Sequence, residues 1–221
     1  SINRMAVKEI VKIWNEKSLL DKNIDFLHQK TSKVDFPLSS ESQAIIDDLI
    51  DSYKAIPCAG IAANQIGYNQ SIFIGMKYCE DDDQGKEIEE MEAKHDKNAE
   101  ISNEYADNCE VYINPQIDTT DEGSRQCEIE GCLSLPALSL AIKRHDKIKV
   151  RYYTPDGKVV KKPLKGFMSK LFQHELDHLN GILMLDDFSR IADMDRSSFE
   201  SKEELERIVG YIQEFQRKYV K

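Results

Sequence analysis

The stretch Gly166–Leu179 constrains this chain more than any other. Phe167, Leu171, His174 and His178 recur at helical spacing, and Asn180-Gly181 behind them supplies a stop, so the segment reads as a helix. Inside it, Gln173-His174-Glu175-Leu176-Asp177-His178 carries the pattern His-Glu-x-x-His. Residues four apart lie one above the other on a helix, so both imidazoles can reach a single metal ion. Glu175, beside the first histidine, can address a water on that ion. A catalytic site of this type takes a third protein ligand and leaves the fourth position to water or substrate.

Three sources for that third ligand are open on the residues alone. A downstream histidine at the metzincin spacing fails, because Gly181 is in place but Met184 stands where the histidine is required. A downstream glutamate, as in thermolysin-like proteases, has Glu200, Glu203 and Glu204 as candidates, all around the start of a separate amphipathic segment. The third source is Cys132, in Glu130-Gly131-Cys132-Leu133-Ser134 with Pro136 just after. A thiolate is a strong ligand for zinc or ferrous iron. A lone cysteine beside glycine is as readily a small buried hydrophobe, so Cys132 gains meaning only in combination.

The rest of the chain reads as an α+β domain of mixed or antiparallel strands packed around the His-Glu-x-x-His helix. Ser40-Glu-Ser-Gln43 fits a capping box, followed by Ile46, Leu49, Ile50 and Tyr53 at helical spacing up to Pro57. Ser71–Lys77 and Glu110–Asn114 read as strands, and 147–154 with 158–162 form a hairpin about Pro155-Asp156-Gly157. Ser201-Lys-Glu-Glu204 opens a terminal helix over 201–221 bearing Leu205, Ile208, Val209, Ile212 and Phe215. At 221 residues the whole chain is expected to form one domain.

Charge sharpens this division. The formal net charge is −10, yet the span 80–108 alone holds 12 acids against three lysines, a net −9. That span lacks apolar periodicity and reads as an acidic insertion within the domain. The remaining scaffold is almost neutral, which argues against a DNA-binding role. No apolar run approaches the ~20 residues that span a bilayer. The first 20 residues show no signal-peptide pattern, and five cysteines without a Cys-x-x-Cys pair fit a reducing cytoplasm.

Taken in order, Cys58-Ala59-Gly60-Ile61-Ala62-Ala63-Asn64-Gln65, Glu130-Gly-Cys-Leu-Ser134 and Gln173-His-Glu-Leu-Asp-His178 closely resemble the three motifs of peptide deformylases. The resemblance runs from about Pro57 to Phe188, leaving out the acidic span. It implies hydrolysis of the formyl group from N-terminal formylmethionine of nascent polypeptides, with release of formate. It assigns Cys132, His174 and His178 as ligands of one divalent metal ion, and Glu175 as general acid and base. The ion would be Fe2+ in the cell, with Zn2+, Ni2+ or Co2+ able to replace it. Gln65 and the backbone N–H of Leu133 become the donors that face the developing oxyanion. Gly60 and Ile61 would bind the peptide as an added strand, and Phe167 and Leu171 would line its methionine pocket. Arg144 matches a family arginine that partners Glu130, Asp177 becomes a candidate to orient a ligand histidine, and the terminal helix a candidate ribosome contact.

Three positions and one segment depart from the family pattern. Cys58 replaces a glycine, where its side chain is expected to narrow the approach of the peptide. Ala137 replaces a frequent glycine, Lys170 sits where an apolar residue is usual, and the acidic span is unusual. None of these removes a catalytic atom.

Overall fold

A computed structural model of the chain describes residues 7–77, 103 and 106–221. Among these residues lie four α-helices: α1 (Asp21–Leu27), α2 (Ser40–Ala55), α3 (Gly166–Leu179) and α4 (Lys202–Tyr219). The strands are β1 (Gly60–Ala62), β2 (Ile72–Met76), β3 (Cys109–Thr120), β4 (Arg125–Gly131), β5 (Ser139–His145), β6 (Ile148–Tyr153), β7 (Val159–Leu164) and β8 (Ile191–Met194). They form a five-stranded sheet in the order β1-β2-β3-β6-β7 and a three-stranded sheet in the order β4-β5-β8, with every strand pair antiparallel. The expected α+β architecture is therefore the observed one. The acidic span 80–108 falls almost wholly outside the described residues.

Helix α3 lies against the larger sheet because its apolar side chains recur on one face. Met168, Leu171, Phe172 and Leu179 pack with Ala62, Phe73, Met76, Tyr112, Val150 and Tyr152. The rings of Phe73 and Tyr112 stack at 4.3 Å, with Phe172 edge-on to Phe73 at 5.6 Å. Both histidines are thus carried on a helix with little freedom to move. Its end is equally defined. Gly181, at φ 73°, lets its own N–H reach His178 O at 3.1 Å and the Ile182 N–H reach Asp177 O at 2.8 Å. These are the two bonds of a Schellman stop. A Cβ at Gly181 would also lie 2.4 Å from His28 O, so only glycine fits.

Two local expectations shift. The N-cap of α2 is Ser39, whose hydroxyl accepts from the Ser42 N–H at 3.1 Å, one residue before the expected Ser40. Strand β3 runs past Asn114-Pro115 rather than ending there. Pro115 has no N–H for the ladder, and the register to β6 breaks between Ile113 and Gln116. Asn114 takes the left-handed conformation at φ 49°, and its amide bonds both Val34 N–H and Val34 O at 2.9 and 2.8 Å. A side-chain pair in place of ladder bonds holds the bulge. Helix α4 begins at Ser201 as expected, and buries Ile208, Tyr211 and Phe215 in a second core with Trp14, Leu135 and Leu183. Ala137 occupies φ 68°, a conformation that costs a residue with a Cβ about 1–2 kcal/mol and favours the glycine it replaces.

Candidate metal centre

Three segments distant in sequence converge beside α3. Cys132 follows the end of β4, Gln65 lies in a short 3-10 turn (Ala63–Ile66) after β1, and His174 and His178 project from α3. One potential ligand atom from each of Cys132, His174 and His178 lies within 4.8 Å of the others. Cys132 Sγ and His178 Nε2 are 3.2 Å apart, and the two imidazole centroids are 5.0 Å apart. A tetrahedral ion with metal–sulfur near 2.3 Å and metal–nitrogen near 2.0–2.1 Å sets its ligand atoms roughly 3.3–3.6 Å apart, so the group is close to the spacing a single ion needs. The donor chemistry agrees, since Cys and His are both zinc-type ligands and three protein ligands with an open fourth position is the form of a catalytic site. Among the described residues no other group of three such side chains comes together, and the Glu204 carboxylate instead accepts from the Glu200 N–H at 3.0 Å.

The surroundings favour a cation. Glu130, on β4, accepts from His174 Nδ1 at 2.9 Å, which leaves Nε2 as that ring's ligand atom. Arg144, on β5, holds Glu130 through two bonds of 2.6 and 2.8 Å, the expected pairing. Burial alone would raise the Glu130 carboxyl, but the bond from His174 and the Arg144 guanidinium hold it at about 2. Burial alone would lower the His174 imidazole, but contacts with Cys132 and Glu130 raise it well above its usual value. Positive charge is therefore welcome between Cys132 and His174. His178 is pushed the other way by burial and by the His174 charge, toward the neutral form a ligand needs. Its Nδ1 has no hydrogen-bond partner among the described residues.

Glu175 is 2% exposed, and burial raises its carboxyl to about 7. Among the described residues its Oε2 makes no hydrogen bond. A carboxylate so placed can both take and return a proton near neutral pH. Gln65 is held by its own backbone turn, with Oε1 accepting from the Ala62 N–H at 3.0 Å. That bond turns its NH2 group inward, 3.1 Å from Ser134 Oγ and 3.7 Å from Cys132 Sγ. Leu133 follows the cysteine directly, and its N–H bonds no other described residue. Gly60 is in β1, the end strand of the larger sheet among the described residues. A Cβ there would lie 3.0 Å from Leu171 Cδ1 and 3.2 Å from Glu175 Cγ, so the glycine lets β1 approach the helix. Ile61, by contrast, is 0% exposed and packs in the core under α2.

Two side chains do something other than expected. Asp177 touches no ligand histidine; it accepts from Arg144 at 3.0 Å and Arg190 at 3.2 Å, while Glu130 orients His174. Cys58 is 1% exposed and packs with Leu49, Tyr53 and Ile74, so it does not narrow the peptide approach. Sequence reasoning also missed Asn64, whose side-chain amide donates to His178 O at 2.6 Å and ties the Gln65 turn to the end of α3. Its place beside Gln65 in the first motif was the available signal. The ion pair under the site should matter for folding as well as for metal. Arg144→Met strands the buried Glu130 charge and is expected to cost about 3–5 kcal/mol, read as a lowered urea midpoint.

Comparison with known proteins places these observations in a family. A family model described as polypeptide deformylase matches residues 16–194. The peptide deformylase of Novosphingobium aromaticivorans is 29% identical over 188 residues, spanning 85% of this chain and 92% of that protein. That of Bradyrhizobium diazoefficiens is 31% identical over 187 residues, spanning 85% and 90%. The Met-Ala-Ser-bound class I type b peptide deformylase from Acinetobacter baumannii shares the fold, with a TM-score of 0.60 at 24% identity over 84% of this chain and 98% of that one.

Proposed function

The chain belongs to the peptide deformylase family, and we propose that Cys132, His174 and His178 hold its metal ion while Glu175 moves the proton that formyl hydrolysis requires. The reaction is removal of the formyl group from N-terminal formylmethionine, releasing formate. The observation that carries the site assignment is the convergence of three ligand atoms within 4.8 Å beside a buried carboxylate.

When bound, a divalent ion lowers the pKa of a water and polarises the formyl carbonyl. Glu175 is placed to take a proton from an attacking water and to pass it to the leaving amine when the C–N bond breaks. Gln65 and the Leu133 N–H donate to the carbonyl oxygen as charge builds on it. Gly60 and Ile61, in the end strand β1, are assigned to pair with the peptide, and Phe167 and Leu171 to wall its first side chain. Glu130 fixes the tautomer of His174, and Arg144 fixes Glu130.

The family resemblance supports Fe2+ as the ion in the cell, and the ligand set accepts Zn2+, Ni2+ or Co2+. Residues 1–221 are read as one catalytic domain. Cys109, Cys127 and Cys132 form no disulfide among the described residues, which is consistent with the cytoplasm, and no helix among those residues is long and apolar enough to cross a membrane. A ribosome contact through α4 would have to use its exposed face, because Ile208, Tyr211 and Phe215 are committed to the core. Formate release from formyl-Met-Ala-Ser by the iron-loaded protein tests the reading. Absence of formate with the metal fully occupied overturns it.

A further inference from the structure

Asn64 and Gln65 are neighbours in the turn Ala63–Ile66, and each is 1% exposed. Their side chains bond to different elements. Gln65 sends its NH2 toward Ser134 Oγ and Cys132 Sγ, at 3.1 and 3.7 Å. Asn64 Nδ2 donates to His178 O at 2.6 Å, joining residues 114 positions apart. That carbonyl lies in the last turn of α3, where the Ile182 N–H goes to Asp177 O instead. The Gly181 N–H reaches it at 3.1 Å, and Asn64 brings a donor from outside the helix. The bond therefore ties the backbone of a metal ligand to the residue beside the oxyanion donor. The backbone restraints on Gln65 point elsewhere: its Oε1 accepts from the Ala62 N–H within the same turn, and its O accepts from the Val11 N–H at 2.7 Å. Neither fixes the turn against α3. Asn64 Oδ1 is buried and has no hydrogen-bond partner among the described residues. The amide gains one bond for two buried polar atoms, so its net contribution to stability is small.

The formyl oxygen must reach the Gln65 NH2 while the formyl carbon stays beside the ligands on α3. Constellations of this kind work when their parts are held to within about 0.5 Å, and a shift of ~1 Å can cost about 10²-fold in rate. We propose that Asn64 is a positioning residue for formyl hydrolysis, whose bond to His178 O keeps the Gln65 donor in register with the ligand helix. It acts through Gln65 and does not touch the substrate. The proposal rests on the deformylase reading and adds a residue to that same site.

The test uses Asn64→Leu, which is close in volume and removes both amide atoms, with Asn64→Ala as a second variant. With iron-loaded protein and formyl-Met-Ala-Ser, kcat is expected to fall about 10–100-fold, while KM changes less than about threefold and metal content stays the same. In a Gln65→Ala background the same substitution should change kcat less than about threefold, because the donor it positions is already gone. A merely structural residue would act equally in both backgrounds. Hydrogen exchange of the Gln65 side-chain NH2 in the zinc-loaded protein supplies a readout apart from activity. It should be slow in wild type beside an exposed side-chain amide such as that of Gln213, and at least about tenfold faster in the Asn64 variants. A kcat within threefold of wild type, a full effect in the Gln65→Ala background, or loss of metal in step with activity overturns the role of Asn64. So does a wild-type Gln65 amide that exchanges as fast as that of Gln213, an outcome that needs no variant. No formate from wild type with the metal fully occupied overturns the deformylase reading itself, and the exchange rates still decide whether Asn64 holds Gln65.

Discussion

Glu175→Gln is expected to lower kcat for formyl-Met-Ala-Ser by about 10³-fold or more while the protein keeps its metal. General acid–base groups contribute about 10²–10⁴-fold, and this one serves both halves of the reaction, taking a proton and giving it back. Glutamine preserves volume at a site only 2% exposed, so no cavity follows. The amide cannot accept a proton, so only the transfer step is lost. Binding should survive, because peptide contacts are assigned to β1 and the α3 wall rather than to Glu175. KM is therefore expected to change within about threefold, and metal content not at all. A variant with near wild-type kcat would remove Glu175 from the proton path. Loss of metal with loss of activity would instead make it part of the ion's support.

How much of this was legible before the structure depended on distance along the chain. The bounds of α3 were readable because periodicity and the Asn180-Gly181 stop are local signals that agree. The same holds for the β6–β7 hairpin, where Pro155-Asp156-Gly157 sits between two β-rich runs. Local rules blurred where two adjacent residues offered the same chemistry, as with Ser39 and Ser40 at the start of α2. The metal set was different in kind. His174 and His178 share a helix, but Cys132 is brought to them by the pairing of β4 with β5 and by the packing of α3, neither of which periodicity reports. Only the order of three motifs joined them. Side-chain direction was the least visible property. Asp177 is three residues from His174, yet it meets Arg144 and Arg190 instead. Cys58 stands in a motif that borders the site, yet faces the core.

Cys132→Ser carries the second large effect, and it separates a cysteine-ligated hydrolase from every alternative built on a downstream glutamate. A hydroxyl at 132 stays protonated near neutral pH and is a poor ligand, whereas a metal-facing thiol is held as thiolate. The remaining donors, His174 and His178, sit on one helix face and supply two of the three protein ligands such a site needs. Affinity for the ion is therefore expected to fall by at least about 10²-fold, beyond the 10–100-fold typical of losing a supporting residue. Folding should be little disturbed, since Cys132 is only partly buried at the edge of its cluster. Dialysis against a chelator distinguishes the outcomes: wild type retains its metal under conditions that strip the variant, and formate release follows the metal. Retention of metal and activity by Cys132→Ser would show that the third ligand lies elsewhere. Retention of metal with loss of activity would show that serine still binds the ion, and that sulfur is needed to tune the water rather than to hold the ion.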